Sequence, residues 1–175
     1  GVIKVKGVKV GKLNIKDIQG KVRLKDEYLF LDFLSAQLLG GHLEGDSQIK
    51  LPGPLTCQAN FNFVDLDLDT LLKDFALDEK AEVSGKVSGS LKLQGRMQNV
   101  EILDGNLSSG KDGGNLTIKD TRFLQNIARS SGQALDLVVE SFKNYRYNTA
   151  ITTISLQENN IIFLIKLDGS SGKRS

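Results

Sequence analysis

The stretch AEVSGKVSGSLKLQG, residues 81–95, alternates without interruption. Ala81, Val83, Gly85, Val87, Gly89, Leu91, Leu93 and Gly95 fall on one side of an extended chain. Glu82, Ser84, Lys86, Ser88, Ser90, Lys92 and Gln94 fall on the other. A period of two predicts a strand with one wet and one dry face. As a single strand at ~3.3 Å per residue it would run about 50 Å, far beyond the usual length of roughly five or six residues. Something must cover so long a dry face.

The same alternation recurs. In GGHLEGDSQIKL, Gly41, Leu43, Gly45, Ser47, Ile49 and Leu51 oppose His42, Glu44, Asp46, Gln48 and Lys50. Beyond a Pro52-Gly53-Pro54 turn, Leu55, Cys57, Ala59, Phe61 and Phe63 oppose Thr56, Gln58, Asn60 and Asn62. Proline and glycine punctuate the pair where ladder bonds are not needed, so it reads as a hairpin. Earlier, Ile18, Gly20, Val22 and Leu24 oppose Gln19, Lys21 and Arg23, and YLFLDFL follows, apolar on both faces. Near the end, Tyr145, Tyr147, Thr149, Ile151 and Thr153 are expected to share one face. Ile161, Phe163, Ile165 and Leu167 share another across a Glu158-Asn159-Asn160 turn. Strands joined by short turns make an antiparallel meander the economical topology.

Two segments break the period. LDTLLKDFAL carries Leu71, Leu72 and Phe75 at helical spacing behind Asp69 as N-cap, which predicts a short helix. The segment from Asp120 to Asn144 places Leu124, Ile127, Ala128, Leu135, Val138, Val139 and Phe142 on one stripe. It predicts about twenty helical residues capped by Asp120 or Thr121 and weakened or split at Ser130-Ser131-Gly132. The stripe should pack on the apolar side of the sheet, capping or plugging one end. So little helix cannot cover roughly eight strands, so much of the dry face must meet the same sheet or a ligand.

Composition narrows the class. The chain has 175 residues, 39% hydrophobic and 25% charged, in the range of one folded domain with a sizeable core, here taken as residues 1–175. A net charge of +2 is too small for a nucleic-acid footprint. Eighteen glycines against two prolines suggest bends and bulges within strands. No run approaches the ~20 apolar residues of a membrane span. The chain opens on Gly1 and ends in GSSGKRS, which reads as a piece of something longer from which a signal or anchor has been removed.

Catalytic chemistry needs a group of tuned pKa beside a partner. His42, the sole histidine, sits on a polar strand face and reads as a solvated side chain; Cys57, the sole cysteine, reads as a small filler on an apolar face. Asp65, Asp67 and Asp69 imitate the start of a calcium loop, but Thr70 and Ala76 stand where that loop needs glycine and glutamate. SSGKDGG and GSSGKRS match no phosphate loop, and Tyr145-Arg146-Tyr147 is the nearest approach to a nucleic-acid surface. The expectation is a non-enzyme without cofactor or metal.

From Phe61 onward the order of landmarks becomes specific. FVDLDLDTLLKDF leads a strand into a short helix; VSGKVSGSLKLQG supplies glycine-spaced strands; VEILDGNLSSGKDGGNLTI gives a strand, an Asp-Gly turn and a Gly-Gly pair; ALDLVVESFKNYRY and NNIIFLIKLDG close the series. This ordering, over roughly residues 13–169, resembles the C-terminal portion of AsmA-like proteins, and among them the YdbH-type family, whose domain also carries a dicarboxylate transport label. The family's last strand usually continues into a G-x-x-P stretch and further strands, which do not follow Gly169 here.

The resemblance implies a mainly β fold with one or two helices, its long antiparallel sheet curled into a β-taco or half-barrel groove with an apolar lining. It implies a periplasmic location, with a tether to the inner membrane outside this segment, and carriage of phospholipids toward the outer membrane. Acyl chains would then lie on Leu43, Ile49, Leu55, Ala59, Phe61, Phe63, Val83, Val87, Leu91, Leu93, Ile151, Phe163 and Ile165, each buried methylene contributing ~0.8 kcal/mol. Partners would be those acyl chains, neighbouring groove segments of the same full-length chain and an outer-membrane protein, with no nucleic acid. Two other readings stand beside it. One is a closed sandwich or flattened barrel whose lining is its own core. The other is a scaffold or chaperone for outer-membrane assembly that takes a partner strand on an exposed edge.

Overall fold

The computed structural model describes residues 1–96, 99–132, 134–157 and 160–171. Its first five strands, β1 (Val2–Val10), β2 (Leu13–Lys25), β3 (Tyr28–Leu38), β4 (Gly41–Lys50) and β5 (Thr56–Asp67), form an antiparallel meander through tight turns. Helix α1 (Leu68–Asp74) then leads into β6 (Ala81–Val83) and β7 (Lys86–Arg96). Strands β8 (Asn99–Ser109) and β9 (Gly114–Ile118), helices α2 (Thr121–Ser131) and α3 (Leu135–Phe142), and strands β10 (Tyr145–Gln157) and β11 (Asn160–Ser171) complete the chain. All eleven strands belong to one sheet that does not close into a barrel. Among the described residues β1 pairs only with β2, β6 only with β9 and β11 only with β10, so each of these three presents a free edge.

The long alternation of residues 81–95 is not one strand. It breaks at Ser84-Gly85, with β6 pairing to β9 and β7 to β5 and β8. The cause is steric. Gly85 has φ +117°, and a Cβ there would lie 2.5 Å from the Tyr147 Oη and 2.6 Å from the Gly113 carbonyl oxygen. The Tyr147 hydroxyl donates to the Ser84 carbonyl at 2.6 Å, filling the space that a regular strand would occupy. The partner hairpin breaks at the same level, between β8 and β9, so the kink passes through both layers of the ladder.

Three further expectations change. The N-cap of α1 is Asp67, whose Oδ1 accepts from the Thr70 amide at 2.7 Å; Asp69, the predicted cap, lies within the first turn and ion-pairs with Lys73 at 2.6 Å. Asp104-Gly105 is not a turn but the middle of β8, and Gly105 lacks a side chain because the Leu91 side chain of β7 lies over it. Residues Val2–Val10, for which no strand was expected, form β1. The predicted split in the helical segment is present. Asp120 caps α2 by accepting from the Arg122 and Phe123 amides, and Gly132, at φ +64°, ends it in the left-handed conformation that suits a residue without a Cβ.

The dry faces point inward on a curved sheet. Ala36, Leu38, Leu39, Leu43, Phe63 and Leu66 form one buried cluster. Against it pack residues as far apart in the strand order as Ile15 of β2 and Leu107 of β8, together with Leu71 of α1. Flat, those two strands would stand five places and about 24 Å apart; a shared cluster requires curling. Lys12, in the β1–β2 turn, donates to the Phe75 carbonyl at the end of α1 at 3.2 Å, tying the near wall to the helix.

Candidate functional site: an apolar trough

Cross-strand register fixes which side chains line the concave face. Leu91 pairs with Phe61 on one side and Gly105 on the other, Leu93 with Ala59 and Ile102, and Val87 with Leu66. Leu43 pairs with Phe63 and Ile49 with Cys57. Directly opposed residues of an antiparallel pair point to the same face, so these form continuous apolar rows across β4, β5, β7 and β8. The intervening residues carry the polar set: Gln48 donates to Gln58 at 2.6 Å, Asn60 to Asp46 at 3.1 Å, and Lys86 and Lys92 are exposed.

The lining is not filled. A cavity of about 360 Å³ lies between Leu39 at one wall and Ile165 and Leu167 at the other, with Val83, Val87, Leu91 and Phe63 on its floor. Tyr147 and Leu116 also line it. A second, of about 670 Å³, lies between the sheet and the helix pair and shares Leu116, Ile165 and Leu167 with the first. Both fall within the size of ordinary ligand sites. Ile165 is 59% exposed although it faces this lining, as expected of an open trough.

Most of the sequence-derived lining set falls on this face. Val83, Val87, Leu91, Phe63 and Ile165 line the smaller cavity, and Leu43, Phe61, Ala59, Leu93 and Ile49 follow in the rows beside it. Two members do not. Leu55 precedes β5, in the turn, and is 39% exposed. Ile151 is on the opposite, polar face, paired with Ser108 and Lys166 and 45% exposed. The reason is a bulge at Asn148, which reverses the parity of β10, so that Tyr147 and then Ala150, Thr152 and Ile154 face inward. Phe163 pairs with Ile154 in the ladder, but its side chain, like that of Ile127, lies outside those described. The reading from alternation missed Leu107, Leu116 and Tyr147; the last two depend on bulges and breaks that spacing cannot show.

The helix stripe packs largely on itself. Leu124, Ala128 and Val138 are buried together, with Ile118 of β9 as the sheet's contribution and the Phe142 ring tilted 39° to that of Tyr145, centroids 5.8 Å apart. Over the remaining sheet the pair stands off, leaving the larger cavity beneath Phe123 and Phe142.

Ionisable groups serve the frame. The Thr70 amide holds the Asp67 carboxyl below its ordinary pKa, and burial raises that of the Tyr147 phenol. His42 is partly exposed on the convex face, 3.3 Å from Glu44 and 3.4 Å from Ser35. Among the described residues no group of three or more His, Cys, Asp or Glu is placed to hold a metal ion, and no helix is long and apolar enough to cross a membrane. The arrangement offers surface for apolar chains rather than a reacting centre.

No curated protein and no solved structure matches the chain. A family model does, over nearly the whole length: residues 1–174 match YdbH-like, described as intermembrane phospholipid transport protein YdbH, a lipid-transport rather than an enzyme family whose description points to the cell envelope. An open, apolar-lined, eleven-stranded sheet matched end to end by that model is a member of the YdbH-like family.

Proposed function

We propose that this chain is one wall segment of a periplasmic carrier along which phospholipids pass between inner and outer membranes, held to the inner membrane by a segment outside this sequence. Acyl chains lie in the trough while headgroups remain at its wet opening. The observation that carries the proposal is the concave face itself: continuous apolar rows and two unfilled, adjoining cavities in a sheet that stays open. A closed core would have filled that volume with its own side chains. At ~0.8 kcal/mol per buried methylene, a lining of this kind holds an acyl chain without a polar anchor.

The test is photocrosslinking in cells with a benzophenone amino acid at Val87 or Leu91, and at Lys86 as the convex-face control. Inward positions should capture phospholipid and position 86 should not. Equal capture at all three, or none, would defeat the proposal. The unpaired edges of β1 and β11 support a second reading, a scaffold that accepts partner strands. It predicts protein adducts from edge positions with no lipid at Val87 or Leu91. On the carrier reading, the same edges adjoin neighbouring groove segments or an outer-membrane protein.

A further inference from the structure

The larger cavity differs from the smaller in having charge at its rim. Its walls are apolar from both sides, with Leu116 and Ile165 of the sheet facing Phe123 and Phe142 of the helices, but Lys80 and Asp120 also stand on it. Asp120 is committed: its Oδ1 accepts from the Arg122 amide at 2.9 Å and the Phe123 amide at 3.3 Å, so its charge meets the positive end of α2. The adjacent Lys119 is committed as well, its Nζ 2.6 Å from Glu82 and 3.2 Å from the Asp78 carbonyl. The Lys80 ammonium has no ion pair or side-chain hydrogen bond among the described residues.

An apolar cleft of about 670 Å³ with an ammonium at its mouth that makes no ion pair among the described residues has the polarity of an anionic amphiphile. We infer that the space beneath α2 and α3 is a side site for one acyl chain of an anionic phospholipid, whose headgroup phosphate meets Lys80. The inference rests on the proposed carrier function and adds a selection by headgroup charge that the apolar trough cannot make. Phosphatidylglycerol carries a net negative charge, whereas the choline of phosphatidylcholine cancels its phosphate. Lys80 therefore favours the former, by about two- to five-fold for a partly exposed pair at low salt, fading at high salt.

The experiment places a benzophenone amino acid at Phe123, in the cleft, or at Leu91, in the trough. Each protein is mixed with vesicles of equal phosphatidylglycerol and phosphatidylcholine, and the adducts are identified by mass. At position 123 phosphatidylglycerol adducts should exceed phosphatidylcholine adducts two- to five-fold. Lys80→Gln should bring them to parity, and Lys80→Arg should keep the excess. At position 91 none of these changes should matter. An excess at 123 that survives Lys80→Gln overturns the inference, as does an absence of adducts at 123 when 91 yields them. Absence at both positions overturns the carrier reading itself.

Discussion

Tyr147→Phe removes a single oxygen from the point where the sheet kinks. Tyr147 is 2% exposed, and its hydroxyl donates to the Ser84 carbonyl at 2.6 Å. The rest of Ser84 is held by other bonds, its amide to the Asn115 carbonyl at 2.9 Å and its Oγ to the Asn115 amide at 3.1 Å. The substitution therefore leaves one acceptor without its donor and disturbs little else. A net intramolecular hydrogen bond contributes ~0.5–1.5 kcal/mol, and a stranded buried acceptor costs about 1–3. Ser84 is an exposed residue, so water can reach its carbonyl, and the lower part of that span applies: about 1 kcal/mol. For a chain of this size that is a fall in Tm of roughly 2–4 °C. In urea the midpoint should drop with the slope m unchanged, since the native fold and the surface exposed on unfolding stay the same. The pH dependence supplies a second readout. Burial raises the phenol pKa in the fold, so the neutral phenol's contribution is whole below the unfolded value of ~10 and is lost as pH rises toward the higher folded value. Wild type should lose stability more steeply than Tyr147→Phe above about pH 10. A variant with an unchanged midpoint and the same alkaline slope as wild type would refute the role assigned to Tyr147.

Other substitutions test the trough and its frame. Leu91→Asp places a carboxylate on the apolar lining, at a cost of several kcal/mol unless water enters; lipid capture from a benzophenone at Val87 should fall while far-UV circular dichroism stays β-rich. Global unfolding would point to a closed core. Gly105→Val drives a branched side chain into Leu91 and should cost about 1–3 kcal/mol. Leu91→Ala should relieve part of that cost, and a double-mutant cycle in urea with no coupling would contradict the contact. Asp67→Ala removes the α1 cap, for about 1 kcal/mol by thermal denaturation. Because the Asp67 pKa is lowered in the fold, its contribution is present above the unfolded value near ~3.9 and fades as pH falls through the folded one. Asp67→Asn, which does not titrate, should flatten that acid limb.

The wet-and-dry pattern put most strand residues on the face where the sheet carries them, since a mostly apolar side repeated over four or five alternations is the one a strand buries. Leu43, Ala59 and Leu93 needed nothing more. The antiparallel meander followed from alternating strands joined by short turns, the open curl only from the family resemblance, and the helix break from Gly132. What spacing could not show was where the period slips. Ser84-Gly85 and Asn148 interrupt strands whose sequence looks unbroken; at Ser84-Gly85 the contact comes from Tyr147, more than sixty residues away. Asp104-Gly105 looked like a turn for the converse reason: its glycine answers Leu91 on the neighbouring strand, and no local signal says so. The role proposed for Lys80 was hidden altogether, since a lysine in a polar run gains meaning only when the helix pair is folded across from it.

The bulge at Asn148 also sets the rules of insertion and deletion for this strand. Tyr147 pairs with Gly169 and Thr149 with Asp168, so Asn148 is surplus to the ladder. Its removal would leave every residue on both sides with the partner and the face it already has; only the bend would be lost. Deleting Thr149 instead would let Asn148 take the vacant rung, and Ala150 and Ile154 would stay inward. Near this point β10 thus holds one residue of slack, enough to absorb a single loss. An added residue finds no such reserve, and unless a second bulge forms it turns the far half of the strand inside out. Length variation in β10 should therefore run toward shortening by one.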